Sequence, residues 1–122
     1  MDVQAMDVQE RLLGFGRVEA APGEAVWVET PPLAVIAHLR RIYVHVRDGL
    51  GGEILDIDAG RHRLSQAEGE RVLSLGGLLT PIHMQPGDVV RMYFRNADDR
   101  PVTVDAAALL VVAVAAACEE AP

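Results

Sequence analysis

The sequence contains no lysine, because all eleven of its basic residues are arginine. Eighteen acidic residues outnumber them and give a formal net charge of -7. No basic run is longer than Arg40-Arg41, so the chain lacks the clustered positive charge that binds DNA or RNA. We expect no nucleic-acid partner.

Cysteine is nearly absent as well. A single residue, Cys118, excludes an internal disulfide and has no neighbouring Cys or His with which to bind a metal or do redox chemistry. The longest apolar run, residues 106–118, is shorter than the ~20 residues that span a bilayer. We therefore expect a protein without a membrane partner.

The N-terminal stretch repeats the motif MDVQ and is acidic, unlike the positively charged start of a signal peptide. Its polar, non-periodic character predicts a flexible arm over residues 1–10 that becomes ordered only against another chain. The repeat also fits a duplicated start site, with Met6 as an alternative to Met1. Residues 11–122 are predicted to form a single β-sandwich domain.

Aromatic residues are few, only five in all, and no strand-helix-strand alternation is visible. What the chain does contain is short segments of period-2 hydrophobicity separated by Gly, Pro, Asn and Asp about every ten residues. This pattern predicts an all-β fold, an antiparallel β-sandwich or jelly roll of about seven to nine short strands.

Two hairpins are expected. The first joins residues 42–46 to residues 55–57 through the turn DGLGG, and the second joins residues 90–94 to residues 102–104. In the second hairpin Val90, Met92 and Phe94 share the core-facing side. In-register pairing there places Asp105 opposite Arg91 or Tyr93 on the outer face, within reach of Arg91.

Three further segments are less regular. Residues 71–75 are predicted as a strand. Residues 31–41 and 106–118 fit either a strand or a helix. We favour extended structure in both, because the first begins with two prolines and the second resembles a strand covered on both faces.

The stretch PGDVVRMYFRN resembles a strand pair of the cupredoxins. A blue-copper site needs two His, a Cys and usually a Met, yet Cys118 is followed only by EEAP. A cupin site is also incomplete, because His45 stands alone where an HxH pair is needed. No catalytic, cofactor-binding or metal-binding residue is therefore assigned.

The strongest polar cluster would be formed across the first hairpin by His45, Asp56, Asp58 and His62. Two imidazoles and two carboxylates can bind a divalent cation or move protons. Cross-strand pairs of opposite charge are also ordinary sheet stabilisers. We favour the structural interpretation, because a complete ligand set and a nucleophile are missing.

In length, strand rhythm, the segment PGDVVRMYF and the apolar end ALLVVAVAAA, the chain resembles the cement or decoration proteins of tailed-phage capsids. The resemblance implies a non-enzymatic structural protein on the virion surface. Its partners would be its own copies, with a trimer favoured, and the major capsid protein or a similar protein lattice. The alternative is a small ligand-binding β-sandwich for a carbohydrate or a metal.

Interface hot spots are rich in Trp, Tyr and Arg. On that basis the candidate interface residues are Trp27, Tyr43, Arg47, Arg91 and Arg95.

Overall fold

In a computed structural model, which describes residues 6–49 and 51–115, the chain forms nine strands and one helix. Their order and bounds are β1 Met6–Gly14, β2 Val18–Ala20, β3 Ala25–Glu29, β4 Ala37–Arg47, β5 Gly52–Ala59, β6 His62–Arg63, α1 Gln66–Leu73, β7 Ile82–Met84, β8 Val90–Asn96 and β9 Val102–Ala115.

The strands form two antiparallel sheets that pack as a β-sandwich. The first sheet has the order β1-β9-β4-β7, and β2 pairs with β9 beyond the end of β1. The second sheet has the order β3-β8-β5-β6. The predicted all-β antiparallel sandwich is thus confirmed.

One cluster of buried apolar side chains lies between the sheets. Val90, Met92 and Phe94 face it from β8, as predicted, while Arg91 and Tyr93 alternate outwards. Strand β9 contributes its even-numbered residues from Val102 to Val112. Period-2 burial of this kind is what a strand with one core-facing side requires.

Neither ambiguous segment contains a helix where it is described. Residues 31–36 form neither helix nor strand, and residues 37–41 begin β4. Residues 106–115 belong to β9, whereas residues 116–118 lie outside the described part of the chain.

Both predicted hairpins are wrong. Strand β4 pairs with β9 and β7, whereas β5 pairs with β8 and β6, so the DGLGG connection joins the two sheets. The β8–β9 connection also crosses between sheets, and Asp105 lies opposite His45 instead of beside Arg91. Alternation determines which side chains face the core, but it does not determine which strand is the neighbour.

The predicted N-terminal arm must also be corrected. Residues 6–10 belong to β1 and pair with β9 of the same chain, Met6 with Ala115 and Glu10 with Val111. Their pairing partner is thus a strand of the same chain, on the one side of β1 that is paired. Residues 1–5 of the predicted arm lie outside the described residues.

The predicted strand over residues 71–75 is wrong: residues 71–73 end α1, and residues 74 and 75 form no strand. Ser65 caps this helix: its side chain accepts a hydrogen bond from the Glu68 backbone N–H, and the Glu68 carboxylate accepts one from the Ser65 N–H. The motif SQAE is thus a capping box that encodes a helix start. Val72 anchors the helix in the core.

Candidate interaction surfaces

The five candidate interface residues lie on the two outer faces of the sandwich. Trp27, Arg91 and Arg95 lie on the second sheet with Tyr93, and we call this surface the aromatic–arginine face. Tyr43 and Arg47 lie on β4, on the outer face of the first sheet. The structure therefore brings together three of the five residues and separates the other two from them.

Trp27 and Tyr93 form the centre of the aromatic–arginine face. They are directly opposed on β3 and β8, and their rings stack with centroids 4.6 Å apart and an interplanar angle of 28°. The Arg91 guanidinium carbon lies 4.5 Å from the centroid of the Trp27 ring. Stacking and cation–π contacts of this kind hold large side chains in one arrangement at a surface.

Arg91 is fixed by an acidic residue on β5. Its Nη2 donates a hydrogen bond of 3.0 Å to Oδ2 of Asp58, a residue that is only 8% exposed. Arg63 Nε lies 3.5 Å from Oδ1 of the same carboxylate, but this oxygen accepts no hydrogen bond. Asp58 therefore depends mainly on Arg91 for its stabilisation.

Arg95 occupies the next outward position on β8 and forms an ion pair with Glu53. Both side chains are about half exposed. Exposed pairs contribute no more than about 1 kcal/mol to folding, because water screens them. Arg95 is thus held only loosely and can change partner when another surface approaches.

A different surface lies on the outer side of β1 and β9 in the first sheet, where Val8 and Leu12 are 69% and 64% exposed. Leu12 pairs with Leu109, and Val111 is the next outward residue of β9. We call the surface formed by Val8, Leu12, Leu109 and Val111 the apolar face. Neighbouring aliphatic side chains that remain in contact with water often mark an interaction site.

An ion pair lies across the apolar face, because Glu10 stands between Val8 and Leu12 on β1 and directly opposite Val111. Arg40 Nη1 lies 3.1 Å from Oε2 of Glu10, and the pair crosses β9 from β4 to β1. Arg40 lies at a register shift in β4, between Leu39 and Arg41. Both partners are about half exposed, so both charges are available to another molecule.

Tyr43 and Arg47 lie further along the first sheet. The Arg41 guanidinium carbon is 4.2 Å from the centroid of the Tyr43 ring. Asp105 has Arg47 Nη2 at 3.4 Å and Arg17 Nε at 3.7 Å. These residues form a polar border, and two of them, Arg17 and Arg41, were not among the candidate interface residues.

The proposed cluster of His45, Asp56, Asp58 and His62 is not assembled. His45 lies on the first sheet opposite Asp105, whereas Asp56 and Asp58 lie on the second sheet opposite Tyr93 and Arg91. No group of three or more His, Cys, Asp or Glu side chains placed to hold a metal occurs among the described residues. The supposed cross-strand pairs depended on the first hairpin, which does not form.

His62 instead contacts the helix cap. Its Nε2 lies 3.2 Å from both carboxylate oxygens of Glu68. The hydrogen bond from the Ser65 backbone N–H, followed by the one with His62, lowers the pKa of Glu68 below its usual 4.5. This carboxylate therefore serves to start α1.

Comparison of the chain with known protein families, with curated proteins and with solved structures finds no match. In the parts of the chain that the structure describes, no helix has the length and apolar character needed to cross a bilayer.

Proposed function

We propose that the protein is a non-enzymatic binding module that assembles with copies of itself through the apolar face and attaches to a protein lattice, as capsid decoration proteins do. The observation that carries this proposal is the exposure of Val8 and Leu12 beside Leu109 and Val111. Burying aliphatic side chains stabilises an assembly by about 25 cal/mol per Å² of apolar surface removed from water.

A second copy of this chain is the occupant that fits the apolar face best. Interfaces between identical subunits are more apolar than other protein surfaces, especially at their centre. The Glu10–Arg40 pair places one negative and one positive charge within the same face. A symmetry-related copy presents the same two charges, so the carboxylate of one copy can meet the guanidinium of the next. We expect a closed homo-oligomer, with a trimer favoured.

With the apolar face used for contacts between copies, the aromatic–arginine face can bind the lattice. Trp27, Tyr93 and Arg91 are the residue types that dominate binding energy at interfaces. Because the three side chains are already in contact, little conformational entropy would be lost on binding. A protein that binds only the assembled lattice stabilises it by mass action, which is the role of a cement protein on a virion surface.

Sedimentation velocity tests the self-association. Leu12→Glu places a charge on the apolar face and should shift the protein towards monomer, while its melting temperature stays close to that of the wild type. Leu79→Glu is the matched control, because Leu79 is 83% exposed but lies outside the apolar face. If both variants sediment like the wild type, the apolar face is not a contact between copies.

Carbohydrate binding is the second candidate function. It is favoured by one observation, the stacked Trp27–Tyr93 pair on an exposed sheet face, because aromatic rings can also pack against sugars. A glycan array distinguishes the two candidates: binding that is lost in Trp27→Ala and retained in Tyr43→Ala would favour the carbohydrate function. A capsid gene beside the gene for this protein would favour attachment to a protein lattice.

A further inference from the structure

Two histidines that are 45 positions apart in the sequence meet on the outer side of the first sheet. His38 on β4 and His83 on the edge strand β7 are directly opposed, and Nε2 of His38 lies 3.2 Å from Nδ1 of His83. The ring planes are inclined at 62°. His83 is exposed and His38 is half-buried, so the two nitrogens can be reached from solvent.

The second nitrogen of His83 also has a partner. Its Nε2 lies 2.8 Å from Nε2 of the Gln85 side-chain amide. Rotation of that amide by 180° exchanges its nitrogen and oxygen; the oxygen then accepts the Nε2–H of His83, which leaves the lone pair on Nδ1 pointing towards His38. Histidines that bind metals are commonly oriented in this way, by a hydrogen bond from the ring N–H that faces away from the metal.

We propose that His38 Nε2 and His83 Nδ1 together bind a divalent transition-metal ion, with Zn²⁺ as the first candidate. Two ligand nitrogens on a tetrahedral zinc ion lie about 3.4 Å apart when each Zn–N bond is about 2.1 Å. The 3.2 Å separation is close to this value. The ion takes the place of the hydrogen bond between the rings, and each ring carries its N–H on the nitrogen that faces away from the ion.

The site is bidentate. Since the described residues contain no third His, Cys, Asp or Glu in position to complete it, water fills the remaining coordination positions. Pairing between β4 and β7 fixes both backbones, so the site needs little rearrangement to bind the ion. This proposal does not depend on the proposed function.

Isothermal titration of the full chain with zinc chloride at neutral pH tests the site. The wild type should bind one Zn²⁺ per chain, and His38→Ala and His83→Ala should each weaken binding by about tenfold or more, because each leaves a single protein ligand. His45→Ala is the control, since His45 lies on the same outer face but opposite Asp105. The zinc affinity of this variant should stay within twofold of the wild-type value.

Electron paramagnetic resonance with Cu²⁺ as the probe gives an independent result. The wild type should show two coordinated nitrogens and His83→Gln only one, and His83→Gln is a mild change because His83 is exposed. The proposal is overturned if His83→Gln leaves the spectrum unchanged, or if zinc affinity is the same in the wild type and in both alanine variants.

Discussion

The Nδ2 group of Asn96 donates a hydrogen bond to the backbone carbonyl oxygen of Ala20, 3.1 Å away. Asn96 ends β8 in the second sheet, and Ala20 ends β2 in the first. The same Nδ2 group donates to the Arg100 carbonyl at 2.8 Å, and Oδ1 accepts from the Asp98 N–H at 2.8 Å. One buried amide thus connects the two sheets and shapes the β8–β9 turn.

Replacing this amide should destabilise the fold. Asn96→Ala removes the side-chain partner of two carbonyls and one N–H, of which the Ala20 carbonyl is in a buried contact, and we expect it to lower the free energy of unfolding by about 2–3 kcal/mol. Urea denaturation measures the loss. Asp99→Ala in the same turn is the control: the Asp99 side chain is 93% exposed, so a similar loss in both variants would show that the amide network has no special role.

Replacement by alanine should destabilise the fold at Gly77 but not at its neighbour Gly76. Gly77 has a positive φ of 68°, and a Cβ there would lie 2.7 Å from the Arg40 carbonyl oxygen, which accepts the Leu78 N–H. Gly77→Ala should lower the free energy of unfolding by more than about 1 kcal/mol. A Cβ on Gly76 meets nothing within 4 Å, so Gly76→Ala should be neutral or slightly stabilising. Thermal melts of the two variants compare them, and equal melting temperatures would contradict the expectation.

Arg91 and Arg95 are matched arginines on one strand and one face, but their partners differ in burial. Arg91→Ala removes the main partner of the buried Asp58 and should cost about 1–3 kcal/mol of stability. Arg95→Ala breaks only an exposed pair with Glu53 and should cost less than about 1 kcal/mol. Chemical denaturation of both variants checks the difference. A loss for Arg95→Ala as large as that for Arg91→Ala would be the contrary result.

The helix cap predicts a pH-dependent effect. Because the pKa of Glu68 is lowered in the folded state, its ionised form adds stability above its ordinary pKa, and this stability is lost as the pH falls through the lowered value. Glu68→Gln should therefore be less stable than the wild type at pH 7, and the difference in stability should disappear in acid.

Glu70→Gln, on the same helix, controls for the change in charge. Ser65→Ala should cost about 1 kcal/mol of stability through loss of the cap. Thermal melts between pH 3 and pH 7 measure these differences, and a Glu68→Gln gap that does not change with pH would contradict this account.

The local pattern of residues 90–95 predicts correctly which side chains face the core, and it therefore places Arg91 and Arg95 on one outer face. Which strands are neighbours could not be predicted in the same way, because a β-sandwich offers each strand two sheets and several partners with equivalent alternation. Both short connections that resembled hairpins carry the chain between the sheets. The contact between Trp27 and Tyr93 depends on that long-range pairing, as does the meeting of His38 and His83.

The helix, in contrast, was encoded locally. Ser65 and Glu68 form a capping box three residues apart, which is a recognised start signal. The apolar face was less accessible to sequence reasoning. Residues 6–10 look polar on their own, and Val8 and Leu12 become part of one aliphatic surface only when β1 pairs with β9.

Hydroxyl-radical footprinting of the wild-type protein tests most directly the central claim that the apolar face is covered by a second copy. In a single chain Val8 and Leu12 are 69% and 64% exposed, while Leu75 and Leu79 are 88% and 83% exposed. We predict that in concentrated solution Val8 and Leu12 are protected severalfold relative to Leu75 and Leu79, and that dilution removes the protection. The claim would be contradicted if, at every protein concentration, all four side chains were oxidised in proportion to their exposure in the single chain.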